Sequence, residues 1–145
     1  MKRFSVKSVN ISERKGEPKL PVEKVICKKN HGVAGDGHAG PGLRQVSLLA
    51  FEDITAMRAR GAPVDCGDFA ENITTEGIGL AALPVGTRLT IGKAELEITQ
   101  IGKECHTGCA IRRQIGDCLM PRQGVFAKVI KEGEIKRGDS GTYSV

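Results

Sequence analysis

Thr87-Arg-Leu-Thr-Ile-Gly-Lys-Ala-Glu-Leu-Glu-Ile-Thr-Gln-Ile101 is the stretch that decides the fold class. Leu89 and Ile91 flank Thr90; after Gly92-Lys93 the aliphatic set Ala94, Leu96 and Ile98 alternates with Glu95, Glu97 and Thr99. A period of two on both arms gathers the aliphatic side chains on one face of a β-hairpin and the polar ones on the other. Working outward, Val125 to Ile130 and Ile135 predict a second hairpin turned by Glu132-Gly133-Glu134, and Arg137-Gly-Asp-Ser-Gly closes the chain. Upstream, Phe4-Ser-Val-Lys and Val22 to Cys27 read as short strands separated by the polar turn Ile11 to Pro18, with Lys24, Lys28 and Lys29 on a solvated edge. Gln45 to Ala50 reads as a buried strand. Phe51, Ile54 and Met57 fall at helical spacing before the stop signals Gly61 and Pro63. Strands this short and turns this close predict a mainly β chain with one or two short helices, closed into a small, partly closed β-barrel.

Composition sets the bounds. The 145 residues suit a single domain over residues 1–145, large enough to bury roughly two-thirds of its unfolded surface without disulfides. Aromatics are 3% of the chain with no Trp, and Gly reaches 19, so the core must be aliphatic and the backbone rich in turns. The net charge of +5 comes from scattered cations, apart from Lys28-Lys29 and Arg112-Arg113. With one Tyr there is no stacking platform for bases, so a small anionic ligand explains the charge better than nucleic acid does. Met1-Lys-Arg-Phe-Ser-Val runs into polar residues instead of an apolar signal core, and no apolar run is long enough to span a bilayer. A soluble, cytoplasmic protein without a membrane partner is expected, and in that compartment five cysteines favour free, reactive or metal-bound thiols over a disulfide framework.

Three constellations can carry chemistry. The first is the loop from Gly32 to Gly42, with five glycines around Asp36 and His38. It is either a wide turn in which Asp36 makes an Asx-type bond, or a nest of amides for a phosphate, with His38 as hydrogen-bond donor or proton carrier. It is not a Walker loop, since no Gly-Lys-Ser/Thr follows, and Pro41 and Gly42 oppose the helix that a dinucleotide fingerprint needs. The second pairs Arg44 with Asn72. These two either make structural pairings or line a pocket for a ligand bearing phosphate and heterocyclic amide groups. The third is Lys103 to Cys118, which holds Cys105, His106, Cys109 and Cys118. With His106 or His38 these offer enough ligands for zinc, although the spacing is not that of paired zinc motifs, and an iron–sulfur cluster would need a tighter pattern. As a reactive thiol, Cys105 follows a strand and has Lys103, His106 and two arginines nearby to stabilise a thiolate. Cys27 and Cys66 read as small packed residues.

Taken in order, Gly35-Asp-Gly-His-Ala-Gly, Arg44-Gln-Val-Ser-Leu, Gly67-Asp-Phe-Ala-Glu-Asn-Ile-Thr-Thr-Glu-Gly-Ile, Leu83-Pro-Val-Gly-Thr-Arg-Leu, the Cys105 segment and Gly138-Asp-Ser resemble the MOSC domain family, named for the C-terminal domain of molybdenum-cofactor sulfurases. The resemblance spans nearly the whole chain. It implies a β-barrel-like domain that binds the molybdenum–molybdopterin cofactor or carries persulfide sulfur. By position it makes Cys105 the reactive group, as sulfur carrier or as thiolate ligand to the metal, with Cys109 and Cys118 as nearby alternatives. Gly35, Asp36, Gly37, His38, Arg44 and Asn72 are the expected cofactor contacts, with His38 also a catalytic hydrogen-bond partner. Sulfurases join this domain to a pyridoxal-phosphate cysteine desulfurase, for which 145 residues leave no room. Sulfur would therefore come from a partner desulfurase or other donor, pass to a molybdenum-enzyme acceptor, and need no pyridoxal phosphate here. Two alternatives stand beside this. One is a molybdenum-dependent reductase of N-hydroxylated compounds that takes electrons from an external donor, although such family members are longer and carry a separate N-terminal β-barrel. The other is a zinc-stabilised, non-catalytic binding module.

Overall fold

Val46–Ala50 forms strand β5, and every residue in it is buried. That run has two hydrophobic faces because the strand is covered on both sides: Val46 and Leu48 point into the main core, while Leu49 packs outward with Ile54 and Met57 of helix α1, Phe51–Ala59. A computed structural model describes residues 2–14, 17–102 and 123–144. Its other strands are β1 Lys2–Ile11, β2 Leu20–Val22, β3 Lys24–Lys28, β4 Gly32–Val33, β6 Ile73–Glu76, β7 Arg88–Ile91, β8 Ala94–Ile101, β9 Val125–Lys131, β10 Gly133–Lys136 and β11 Ser140–Ser144, with one 3-10 turn at Leu80–Ala82.

The strands pair in the order β11-β7-β8-β9-β5-β6-β1, and β11 pairs back onto β1, so seven strands close a barrel with β2 added outside β1. The expected mainly β barrel is present, and it is fully closed. Closure removes sheet edges that would otherwise offer unpaired backbone groups. Among the described residues only β5 and β6 pair in parallel, with α1 in the crossover between them; the other neighbours run antiparallel. The interior is aliphatic, built from Leu89, Ile91, Leu96 and Ile98 of the central hairpin together with Val6, Leu48, Ile73 and Val125.

The β7–β8 hairpin forms as the alternation predicts, with Leu89 opposite Leu96 and Ile91 opposite Ala94. Gly92 opens its two-residue loop at φ +59°, the positive angle a II′ turn requires in first position. The second expected hairpin does not form. β9 pairs with β8 and β5, whereas β10 leaves the barrel and pairs with β3 in a separate three-stranded sheet, β10-β3-β4. At Gly133 a Cβ would lie 2.6 Å from the Ala94 nitrogen, so the chain passes hard against the β7–β8 turn as it leaves β9 for β3. The Val22–Cys27 strand is likewise divided at Glu23, with β2 on β1 and β3 on β10.

Candidate functional site

The Gly-rich loop, the start of β5, the residues before β6 and the end of β8 surround a cleft of about 840 Å³. His38, Arg44, Ser47, Asn72, Gln100 and Phe126 are among its lining residues. Three side chains singled out in the sequence, His38, Arg44 and Asn72, therefore meet in one place.

Arg44 is held at the lip. Its Nε donates to Gln100 Oε1 at 3.1 Å, and its guanidinium lies over the Phe126 ring, 5.2 Å from the centroid. The terminal nitrogens have no hydrogen-bond partner among the described residues, so a planar fork of donors is left for a ligand. Gln100 is set in turn by donating Nε2 to the Gly102 carbonyl at 2.8 Å, and the Gly102 amide donates to Gly124 O at 2.6 Å. Thus the guanidinium is tied to the point where β8 and β9 separate. Nothing local marks Phe126 or Gln100 as site residues, because a lone Phe and a lone Gln in strands look like packing.

Asn72 is 1% exposed and braces the floor. Its Oδ1 accepts from the Ser47 amide at 3.0 Å and the Ser47 hydroxyl at 3.1 Å, while its Nδ2 donates to the Asn10 carbonyl at 3.3 Å. Asn72 thereby locks β5, β6 and β1 together. Ala70, also in the lining, has φ +63°, a conformation that costs a residue with a Cβ about 1–2 kcal/mol.

The loop behind His38 is built differently from an anion nest. Asp36, Gly37, His38, Ala39 and Gly40 donate their amides to Val33 O, Ser12 O, Asp36 Oδ2, Asp36 O and His31 O respectively. Five consecutive N–H groups, those of Asp36 and Gly37 among them, are thus engaged inside the protein. Gly35, Asp36 and Gly37 are not among the cleft-lining residues. Gly37 is needed for a different reason, since a Cβ there would lie 2.6 Å from the Arg14 carbonyl carbon.

Asp36 acts on the cleft through a buried cation. Lys19, with a side chain 0% exposed, places Nζ 2.8 Å from Asp36 Oδ1 and 3.0 Å from Oδ2, 3.3 Å from Ser12 Oγ and 2.9 Å from His38 Nδ1. Burial alone would raise the Asp36 carboxyl, but hydrogen bonds from Lys19 and the Ser12 amide, the charge of Lys19 and the Asn72 amide hold it below its ordinary value. No local signal marks Lys19, which falls between the polar turn Ile11 to Pro18 and the strand that begins at Val22.

A second buried carboxyl, Glu71, adjoins the floor. Its Oε2 accepts from the Gly67 amide at 2.9 Å and the Thr74 hydroxyl at 2.8 Å, while Oε1 is buried without a partner. Burial, only partly offset by those bonds, pushes Glu71 up to about 7. Of the two cysteines described, Cys27 is fully buried and pushed up to about 12 by burial, and Cys66 is also raised, by burial first; both are poor thiolates at neutral pH. Cys105, His106, Cys109 and Cys118 lie outside the described residues, so the expected reactive or metal-binding thiols carry no geometry here. Among the described residues no three His, Cys, Asp or Glu side chains gather as a metal site, and no helix is long and apolar enough to cross a membrane.

Solved structures share this architecture at low sequence identity. YuaD from Bacillus subtilis superimposes with a TM-score of 0.81 at 17% identity, covering 99% of this chain and 97% of that one. YiiM from Geobacillus stearothermophilus gives 0.78 at 22% identity over 98% of this chain and 75% of that one, and YiiM from Escherichia coli 0.72 at 18% over 100% and 71%. No curated protein matches the sequence. The model of the MOSC domain matches residues 34–142, from the Gly-rich loop through the last strand, and the chain belongs to that family.

Proposed function

We propose that the cleft binds the molybdenum–pterin cofactor and that Cys105 is the thiol that meets its metal or carries sulfur to it. The observation that carries this reading is the Arg44 guanidinium, fixed by Gln100 and Phe126 at the lip, with no partner for its terminal nitrogens among the described residues. The residues fit such a group. About 840 Å³ is within the usual range for a small-molecule site, Arg44 suits a phosphate, and the His38 ring and Ser47 hydroxyl add polar contacts beside it. Asn72 sets Ser47 and closes the floor, so its part in binding is to position. When bound, the cofactor supplies a metal able to take a thiolate ligand and terminal sulfur. Cys105 follows three residues after Gly102, the residue to which Gln100 and hence Arg44 are anchored. In the carrier form of the reading, the Cys105 thiolate takes the outer sulfur of a donor persulfide and the donor thiolate leaves. The donor is a partner cysteine desulfurase or equivalent, the acceptor a molybdenum enzyme.

Substitution separates the roles. Cys105→Ser is expected to abolish persulfide acceptance or cofactor retention while Cys118→Ser leaves both. Equal loss from Cys105→Ser, Cys109→Ser and Cys118→Ser would remove Cys105 from its assigned role. Arg44→Glu should weaken cofactor retention at least about tenfold, the scale of one lost charge-assisted bond. Unchanged retention would show that the phosphate binds elsewhere.

A further inference from the structure

We propose that Lys19 is a positioning residue that locks His38 in one tautomer, with the proton on Nε2, so that His38 serves the cleft as a hydrogen-bond donor only. The inference deepens the proposed binding site but stands on the hydrogen bonds of the buried cluster alone.

Proton accounting leaves one arrangement. Lys19 Nζ lies within 3.0 Å of both Asp36 oxygens, so it is an ammonium, whose three protons are divided among four contacts and which has no lone pair to accept with. The Ser12 hydroxyl donates its single proton to Arg14 O at 3.0 Å, so toward Lys19 it accepts. Asp36 Oδ1 also accepts from the Ser12 amide at 3.0 Å, and Oδ2 from the His38 amide at 3.1 Å. Asp36 therefore fixes His38 twice, directly at its backbone and through Lys19 at its ring. The remaining Lys19 contact, His38 Nδ1 at 2.9 Å, must be a nitrogen lone pair, because an N–H there would face an ammonium that cannot accept it. A neutral imidazole with Nδ1 accepting carries its proton on Nε2.

The consequence is chemical. Taking up a second proton would place it on Nδ1 against the buried ammonium, so His38 does not work as a proton carrier. Binding a metal through Nε2 would require moving its proton to the same forbidden position, so His38 does not complete a zinc set with the downstream cysteines. With the Nδ1 lone pair turned to Lys19, the His38 ring is a donor and not an acceptor, in keeping with the donor character of Arg44 in the same lining.

The test is nitrogen NMR on protein labelled at histidine nitrogens, at neutral pH and without added cofactor, with His38 assigned by the signal lost in His38→Gln. The expected result is one protonated Nε2 and one unprotonated Nδ1, with no exchange between tautomers. Lys19→Met, or Asp36→Asn if the first variant does not fold, should lose this single-tautomer signature. A protonated Nδ1, an averaged mixture or an imidazolium in the unsubstituted protein would overturn the proposal. Because the measurement uses no cofactor, a His38 locked as described in a protein that retains no cofactor would sink the proposed function and leave this inference standing. The opposite pair of results would do the reverse.

Discussion

Lys19 and Glu71 are two charges that the fold holds away from water, and it does so by opposite means. Lys19 is matched by Asp36, Ser12 and His38, so its cost appears only when a partner is removed. Lys19→Met should destabilise the protein by about 3–5 kcal/mol in denaturant titration, because Asp36 stays buried without a counter-charge. Loss below about 1 kcal/mol would mean that water reaches Asp36. Glu71 has no cation beside it in its hydrogen-bond set, and one oxygen lacks any partner. An unfolded carboxyl titrates near 4.5 and the folded one near 7, so the unfolded chain gives up this proton first as pH rises. Stability therefore falls between about pH 4.5 and 7, by roughly 3 kcal/mol for a shift of that size, and levels off above. Glu71→Gln, which keeps an acceptor for Gly67 and Thr74, is expected to flatten that decline in melting experiments run across the window. A slope that survives the substitution would place the pH dependence in another group. Asp36 works in the other direction: its lowered carboxyl contributes stability above the ordinary aspartate range that is lost as pH falls through it.

At the scale of elements, helix α1 shows how local sequence ends a segment. The Ala62 amide bonds Met57 O at 3.1 Å and the Gly61 amide bonds Arg58 O at 2.9 Å, the paired bonds of a Schellman cap, with Gly61 at φ +92° and Pro63 beyond. A Cβ on Gly61 would meet nothing within 4 Å, so Gly61→Ala should cost only the backbone strain, about 1–2 kcal/mol in thermal or denaturant unfolding. Gly32→Ala should cost several times more, since at φ +111° its Cβ would sit 2.1 Å from the Gln45 carbonyl oxygen. Equal losses at the two glycines would show that this crowding relaxes freely. This contrast also marks what the sequence could disclose. The β7–β8 hairpin was legible because a period of two and a glycine turn are local signals. The partner of β10 was not, because it depends on a close approach between Gly133 and the Lys93–Ala94 backbone about 40 residues away in the chain.

The whole molecule is a barrel closed by β11 on β1, with a cleft where its strands meet the Gly-rich loop. A partly closed barrel could be expected from many short strands, but its full closure and the cleft's construction could not. His38, Arg44 and Asn72 stood out as polar residues in glycine-rich or apolar surroundings, and the fold does bring them together. Lys19 does not stand out, since a single lysine just after a polar turn looks solvated until the fold buries it against Asp36. Gln100 and Phe126 acquire their role only from the β8–β9 pairing that brings them beside Arg44. That this cleft holds a molybdenum–pterin group served by a cysteine is the proposed function. Its most direct test is metal, pterin and intact-mass analysis of the protein purified from a host that makes the cofactor, with and without thiol alkylation. Pterin and molybdenum together, or a sulfur adduct on Cys105, are expected in a near-stoichiometric fraction of molecules. Stoichiometric zinc with no pterin and no sulfur adduct, in a protein that loses its fold to a chelator, would contradict it.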